Sequence, residues 1–204
     1  MKGAIVHLVD DDPTVLKALG RLFSAAGIEC RLHAGGYAFL GAFNPEHPSC
    51  AIVDLQMPGL DGLELQEKLS GMDIQVPLIF LTGKGDIDSG VAAIKAGAVD
   101  FLTKPVDGDR LLAVVEQALA QGEKDRVERR DRAAVNARLD RLTPRERQVL
   151  DLVVEGHLNK EIAARLGTAE KTIKVHRGRM MQKMEARNLA ELIGLIVTQR
   201  TTAT

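Results

Sequence analysis

The chain has 204 residues and a formal net charge of −1, but residues 1–121 carry −7 and residues 122–204 carry +6, so two domains are expected, the second suited to a polyanion. No apolar run reaches the ~18 residues of a membrane span, and the start, MKGAIVHLVDDD, turns acidic too early for a signal peptide. Two cysteines, Cys30 and Cys50, are too few for a disulfide framework and lack zinc-ligand spacing, which points to packed thiols in a reduced cytoplasm.

In chain order, AIVHLV (4–9), CAIVD (50–54) and PLIFLT (77–82) are short bounded apolar runs, the pattern of strands buried on both faces. ECRLH (29–33) and DFL (100–102) are weaker strands. Between them Val15, Leu16, Leu19, Leu22 and Phe23 recur at helical spacing, as do Leu111, Leu112, Val115, Ala118 and Leu119. Strands alternating with helices predict an α/β domain over residues 1–121, a five-stranded parallel sheet covered on both faces. Its chemistry belongs beyond the carboxyl ends of the strands.

Residues 122–141 are charged and Pro-free, rich in Ala and Arg, and helix is favoured over a flexible linker there. Residues 142–204 predict a smaller all-α domain of four helices near 144–155, 159–166, 169–185 and 189–199. Thr143, Pro144 and Glu146 form a capping box with Pro at the first helical position. Asn188 and Glu191 repeat the cap, and Gly156 and Gly167 sit where helices stop.

Asp10 and Asp11 follow the first strand and Asp54 ends the third, so a parallel sheet brings three carboxylates to one edge. They repel one another unless a cation joins them, and hard oxygen donors suit Mg²⁺, or Mn²⁺. Thr82 ends the fourth strand with a hydroxyl and Lys104 follows the fifth with an ammonium. Acids, cation, hydroxyl and ammonium make a phosphoryl-binding constellation with a carboxylate nucleophile. Asp12, before Pro13, reads as a helix cap rather than a ligand.

VDDDP (9–13), DLQMPGLDG (54–62), LTGKGD (81–86) and KAGAVDFLTKP (95–105) resemble the receiver domain of two-component response regulators. The resemblance implies a doubly wound, flavodoxin-like fold with Asp54 as phosphoacceptor for a sensor histidine kinase. It implies Mg²⁺ on Asp10, Asp11, Asp54 and the backbone carbonyl of Gln56, with Lys104 on the phosphoryl oxygens. Thr82 and Phe101 are then the switch residues, and Lys104–Pro105 a cis peptide. Lys84 and Gln56 occupy positions that vary in the family, and they bear on the lifetime of the phosphoaspartate.

On a helical wheel of 169–185, Lys171, Lys174, Val175, Gly178 and Gln182 share one face, with Ile173, His176, Met180 and Met184 opposite. NKEIAARLG precedes this segment, as in a helix-turn-helix whose second helix enters the major groove. Residues 142–184 resemble the LuxR-type DNA-binding domain of the FixJ/NarL regulators. That resemblance puts Lys174, Val175 and Gly178 near base edges, and Lys171, Thr172, Arg179 and Lys183 are assigned to phosphates. His176 is read as a packed, hydrogen-bonded core residue, and the last helix as core or dimer surface.

Together these imply a transcriptional regulator, not an enzyme, in which phosphorylation of Asp54 favours a homodimer and sequence-specific binding to double-stranded DNA. One alternative is a constitutive DNA-binding protein whose receiver only dimerises. Another is a Mg²⁺-dependent phosphohydrolase, which needs a second acid where Gln56 stands.

Overall fold

The structure, a computed structural model, describes residues 3–72, 74–83 and 87–200. Lys84 and the C-terminal residues 201–204 lie outside the described residues. The chain forms two compact units, Met1–Val127 and Glu128–Thr204.

The first unit alternates strands and helices: β1 (Ile5–Val9), α1 (Pro13–Ala25), β2 (Glu29–His33), α2 (Gly36–Ala42), β3 (Ser49–Asp54), α3 (Gly62–Gly71), β4 (Leu78–Thr82), α4 (Ile87–Lys95), β5 (Asp100–Thr103) and the start of α5 (Gly108–Asp140). All pairings are parallel in the order β2-β1-β3-β4-β5, so the chain reverses direction across the sheet at β1 and β3. β1, β3 and β4 are buried along their whole length, which their unbroken apolar runs require. One face packs Val6, Leu8, Ile52, Ile79 and Leu81 against α1 and α5, through Leu16, Phe23, Leu111 and Val115. The other packs Val9, Val53 and Phe80 against Phe39 of α2 and Leu65 and Leu69 of α3.

A buried polar pair joins the first two strands of this sheet. His7 Nδ1 lies 2.9 Å from His33 Nε2, with both imidazoles against the Phe39 ring and His7 also against Phe43. Burial lowers the His7 pKa to about 4, and the neighbouring His33 and Arg31 add to the effect, so the ring stays neutral.

The second unit consists of α6 (Pro144–Val154), α7 (Asn159–Arg165), α8 (Glu170–Met184), α9 (Leu189–Arg200) and the last turns of α5. Thr143 caps α6 in a capping box with Glu146, and Asn188 Oδ1 accepts from the amide of Glu191 at 2.9 Å. Gly156 and Gly167 adopt φ of +90° and +61° at the helix ends, conformations that glycine reaches without a Cβ clash. Residues 122–140 are helical within α5, and Val135 and Leu139 are buried with Val149, Ile162, Ile173, Met180 and Leu192.

Candidate phosphoryl site and nucleic-acid interface

Three strand ends build the acidic site. Asp10 follows β1, Asp54 closes β3, and their carboxylate oxygens lie with one from Asp11 within 4.8 Å of one another. Asp10 is 2% exposed; its Oδ1 accepts from the Asp12 amide and its Oδ2 from Lys104 Nζ, both at 2.8 Å. Lys104 also stands 3.0 Å from Asp54 Oδ1, so one ammonium joins two buried acids. Asp11 is exposed at the mouth. Burial pushes the Asp54 carboxyl above its ordinary range, while the Lys104 ammonium pulls the other way and the two neighbouring acids add to the rise. For Lys104 burial lowers the pKa, but the hydrogen bonds and charges of Asp10 and Asp54 outweigh it, and the net shift is upward.

Backbone contacts fix these side chains. The Asp10 amide donates to His33 O at 3.2 Å and the Lys104 amide to Thr82 O at 2.7 Å. The Lys104–Pro105 peptide is cis. Thr82 is 1% exposed and its hydroxyl donates to Gly83 O at 3.2 Å. Gln56 is exposed in the β3–α3 loop, and Phe101 is half-buried on β5 opposite Phe80 of β4. Asp12 accepts from the Thr14 amide at 2.7 Å and caps α1. Three carboxylates against the Lys104 ammonium leave a net negative cluster of hard oxygen donors that suits a small divalent cation.

Sequence reasoning missed the glycine that lets α3 approach this site. A Cβ on Gly62 would lie 2.8 Å from Asp54 O, 3.0 Å from the Phe80 ring and 3.1 Å from Leu55 Cα. The signal was the DG pair at 61–62, where Asp61 caps α3 and the next residue touches the Asp54 backbone.

On α8, Lys171, Thr172, Lys174, Val175, Gly178, Arg179 and Gln182 are exposed, while Ile173, Met180 and Met184 are buried. Lys174 pairs with Glu170 at 3.1 Å, one turn earlier. Among the described residues, nothing outside the helix itself lies within 4 Å of the place a Gly178 Cβ would take. Arg177, not singled out in the sequence, donates to Asn159 Oδ1 at 3.0 Å and fastens α8 to the start of α7.

Two expectations need correction. Lys183, assigned to a phosphate, donates to Glu146 Oε2 at 2.6 Å, because that acid occupies the core stripe of α6 with Val149, Leu150 and Val153 and needs a cation. The Lys183 hydrogen bond, with help from the Thr143 bonds and the Lys183 charge, outweighs the upward push of burial and lowers the Glu146 pKa to about 2. His176 is only half-buried, and its Nδ1 is buried with no hydrogen-bond partner among the described residues.

Residues 6–116 match the family described as response regulator receiver domain, and residues 140–196 match bacterial regulatory proteins of the luxR family. Nodulation protein W of Bradyrhizobium diazoefficiens is 42% identical over 96% of this chain and 86% of its own length. The transcriptional regulatory protein FixJ of the same organism is 38% identical over 93% of each. Among solved structures, the response regulator StyR superposes with a TM-score of 0.82 at 40% identity, covering 96% of this chain and 98% of StyR.

Proposed function

The chain belongs to the response regulators that join a receiver domain to a LuxR-type DNA-binding domain, a family of transcriptional regulators rather than enzymes, and on that premise we propose that Asp54 is its phosphoacceptor. The observation that carries this reading is the meeting of Asp10, Asp11 and Asp54 at one sheet edge with Lys104 between two of them. A phosphohistidine of a sensor histidine kinase is the donor: its P–N bond breaks as an Asp54 oxygen forms the new P–O bond. Lys104 stands within hydrogen-bond reach of Asp54 and balances charge there.

Mg²⁺ or Mn²⁺ fits the donor set of Asp10, Asp11, Asp54 and the Gln56 carbonyl, and when bound it neutralises carboxylate charge and orients phosphoryl oxygens. Thr82 and Phe101 respond to the phosphoryl group, and the responsive state forms a homodimer through α4 and β5. Two copies of α8 then address half-sites about one DNA turn apart. Lys174 and Val175 read base edges, beside a bare step at Gly178, while Lys171, Thr172 and Arg179 hold phosphates. Among the described residues no helix is long and apolar enough to cross a membrane, and we place the protein in the cytoplasm with the DNA it reads.

Intact-mass measurement with acetyl phosphate and Mg²⁺ tests the assignment. One phosphoryl adduct is expected on the wild type and none on Asp54→Asn or in excess chelator. An adduct that survives in Asp54→Asn places the acceptor elsewhere.

A further inference from the structure

A second glycine in the receiver touches the proposed switch aromatic. A Cβ on Gly90 of α4 would lie 2.7 Å from Phe101 Cδ2, 2.9 Å from Cε2 and 3.0 Å from Cγ. Carbon atoms make favourable contact only near 3.5–4.0 Å, so the Phe101 ring fills the volume that any side chain at position 90 requires. Gly90 is buried, while Val91 and Ile94 on the same helix are 43% and 40% exposed. Glycine is a poor residue for a helix interior, which leaves close packing as its use here.

The ring's other neighbours tie this contact to the acidic site. Phe101 faces Phe80 across the β4–β5 register, and the Phe80 ring in turn abuts Gly62, against the Asp54 carbonyl. Phe80 and Phe101 belong to one apolar cluster with Ala93 of α4. Two bare glycines therefore bracket a pair of stacked-strand phenylalanines, one at the phosphoacceptor loop and one on α4.

We propose that Gly90 is the seat of the Phe101 ring in the unphosphorylated receiver and that its missing side chain sets how much phosphodonor the switch requires. A methyl group at position 90 raises the free energy of the seated state and leaves the state with the ring withdrawn from α4 unaffected. The population then moves toward the withdrawn state before any phosphoryl group arrives. Gly90 acts as a positioning residue, through Phe101. The inference rests on the proposed function, in which phosphorylation of Asp54 drives dimerisation.

The test uses the full chain as wild type, Gly90→Ala, Phe101→Ala and the double variant. In the unphosphorylated wild type, nuclear Overhauser contacts are expected between the Phe101 ring and the Gly90 α-protons. In Gly90→Ala the ring resonances should move toward their positions in wild type treated with acetyl phosphate and Mg²⁺. By sedimentation, the phosphodonor concentration at half-dimerisation should fall at least about fivefold in Gly90→Ala. In the Phe101→Ala background the same substitution should change nothing. Absence of the ring contact overturns the proposal. So does an effect of equal size with and without Phe101, because alanine's better helix propensity would produce that. A wild type that never dimerises contradicts the functional reading instead, and the ring measurements still decide the seat.

Discussion

Lys183 and Glu146 form an ion pair of unequal exposure: the lysine side chain is 30% exposed, the carboxylate side chain 3%. Removing either partner therefore has a different consequence. Lys183→Met strands a buried carboxylate that also accepts the Thr143 amide, and should destabilise the DNA-binding unit by ~2–3 kcal/mol. Glu146→Gln leaves a lysine that can swing to water and should cost ~1–2 kcal/mol. Native-state hydrogen exchange of the α6 and α8 amides in the full chain reads both.

The same pair has a pH signature. The Glu146 pKa is lowered from 4.5 to about 2 in the folded state, so its contribution is complete above the unfolded value. Stability is then lost as the pH falls through the window between these two values. α6 protection should drop over that range in the wild type, and the drop should flatten in Glu146→Gln.

His7 predicts a second acid limit, in the receiver. Its folded pKa of about 4 lies below the ordinary 6.5, so the unfolded chain binds the extra proton first. Stability should fall as the pH drops from about 6.5 toward 4, by up to ~3 kcal/mol. Denaturant titrations at several pH values, monitored by exchange of the β1 amides, should show this slope in the wild type and a weaker one in His7→Gln.

Gly62→Ala should disturb Asp54, the proposed phosphoacceptor, directly. The added methyl meets Asp54 O at 2.8 Å and backbone at Leu55, neither of which can step aside cheaply. A cost of ~1–3 kcal/mol is expected, together with slower uptake of phosphoryl from acetyl phosphate. Unchanged melting and unchanged uptake would show that the loop has room the geometry denies.

DNA binding separates the exposed cations of α8 from the one paired with Glu146. Lys171→Ala or Arg179→Ala should weaken binding on all sequences and reduce the slope of log K against log salt by about one. Lys183→Met should leave that slope unchanged, since its ammonium faces Glu146.

Much of this was legible in the sequence because strand-end acids and unbroken apolar runs are local signals. AIVHLV, CAIVD and PLIFLT became β1, β3 and β4 within a residue or so, and Asp10, Asp11 and Asp54 met as a parallel sheet requires. What stayed hidden depends on register and packing between distant segments. The His7–His33 pair exists because His7, midway along β1, is in register with Arg31, and His33, two residues further along β2, falls on the same face of the sheet. Gly62 and Gly90 are informative only once the Asp54 carbonyl and the Phe101 ring are in place. Lys183 looked like one more cation on a basic helix. The clue was Glu146, an acid at the i, i+3, i+4, i+7 spacing of a core face, which demanded a partner. Val135 and Leu139 were masked by the charge around them, yet they are buried in the core of the second unit.

Phosphorylation of Asp54 is proposed to control assembly on DNA. Its most direct test is sedimentation and DNA binding on the same samples of wild type and Asp54→Asn, with and without acetyl phosphate and Mg²⁺, using DNA selected from a random pool. Phosphodonor-dependent dimerisation and tighter, sequence-selective binding are expected in the wild type, both absent in Asp54→Asn. Tight binding that is indifferent to the phosphodonor and to Asp54 would contradict the proposal.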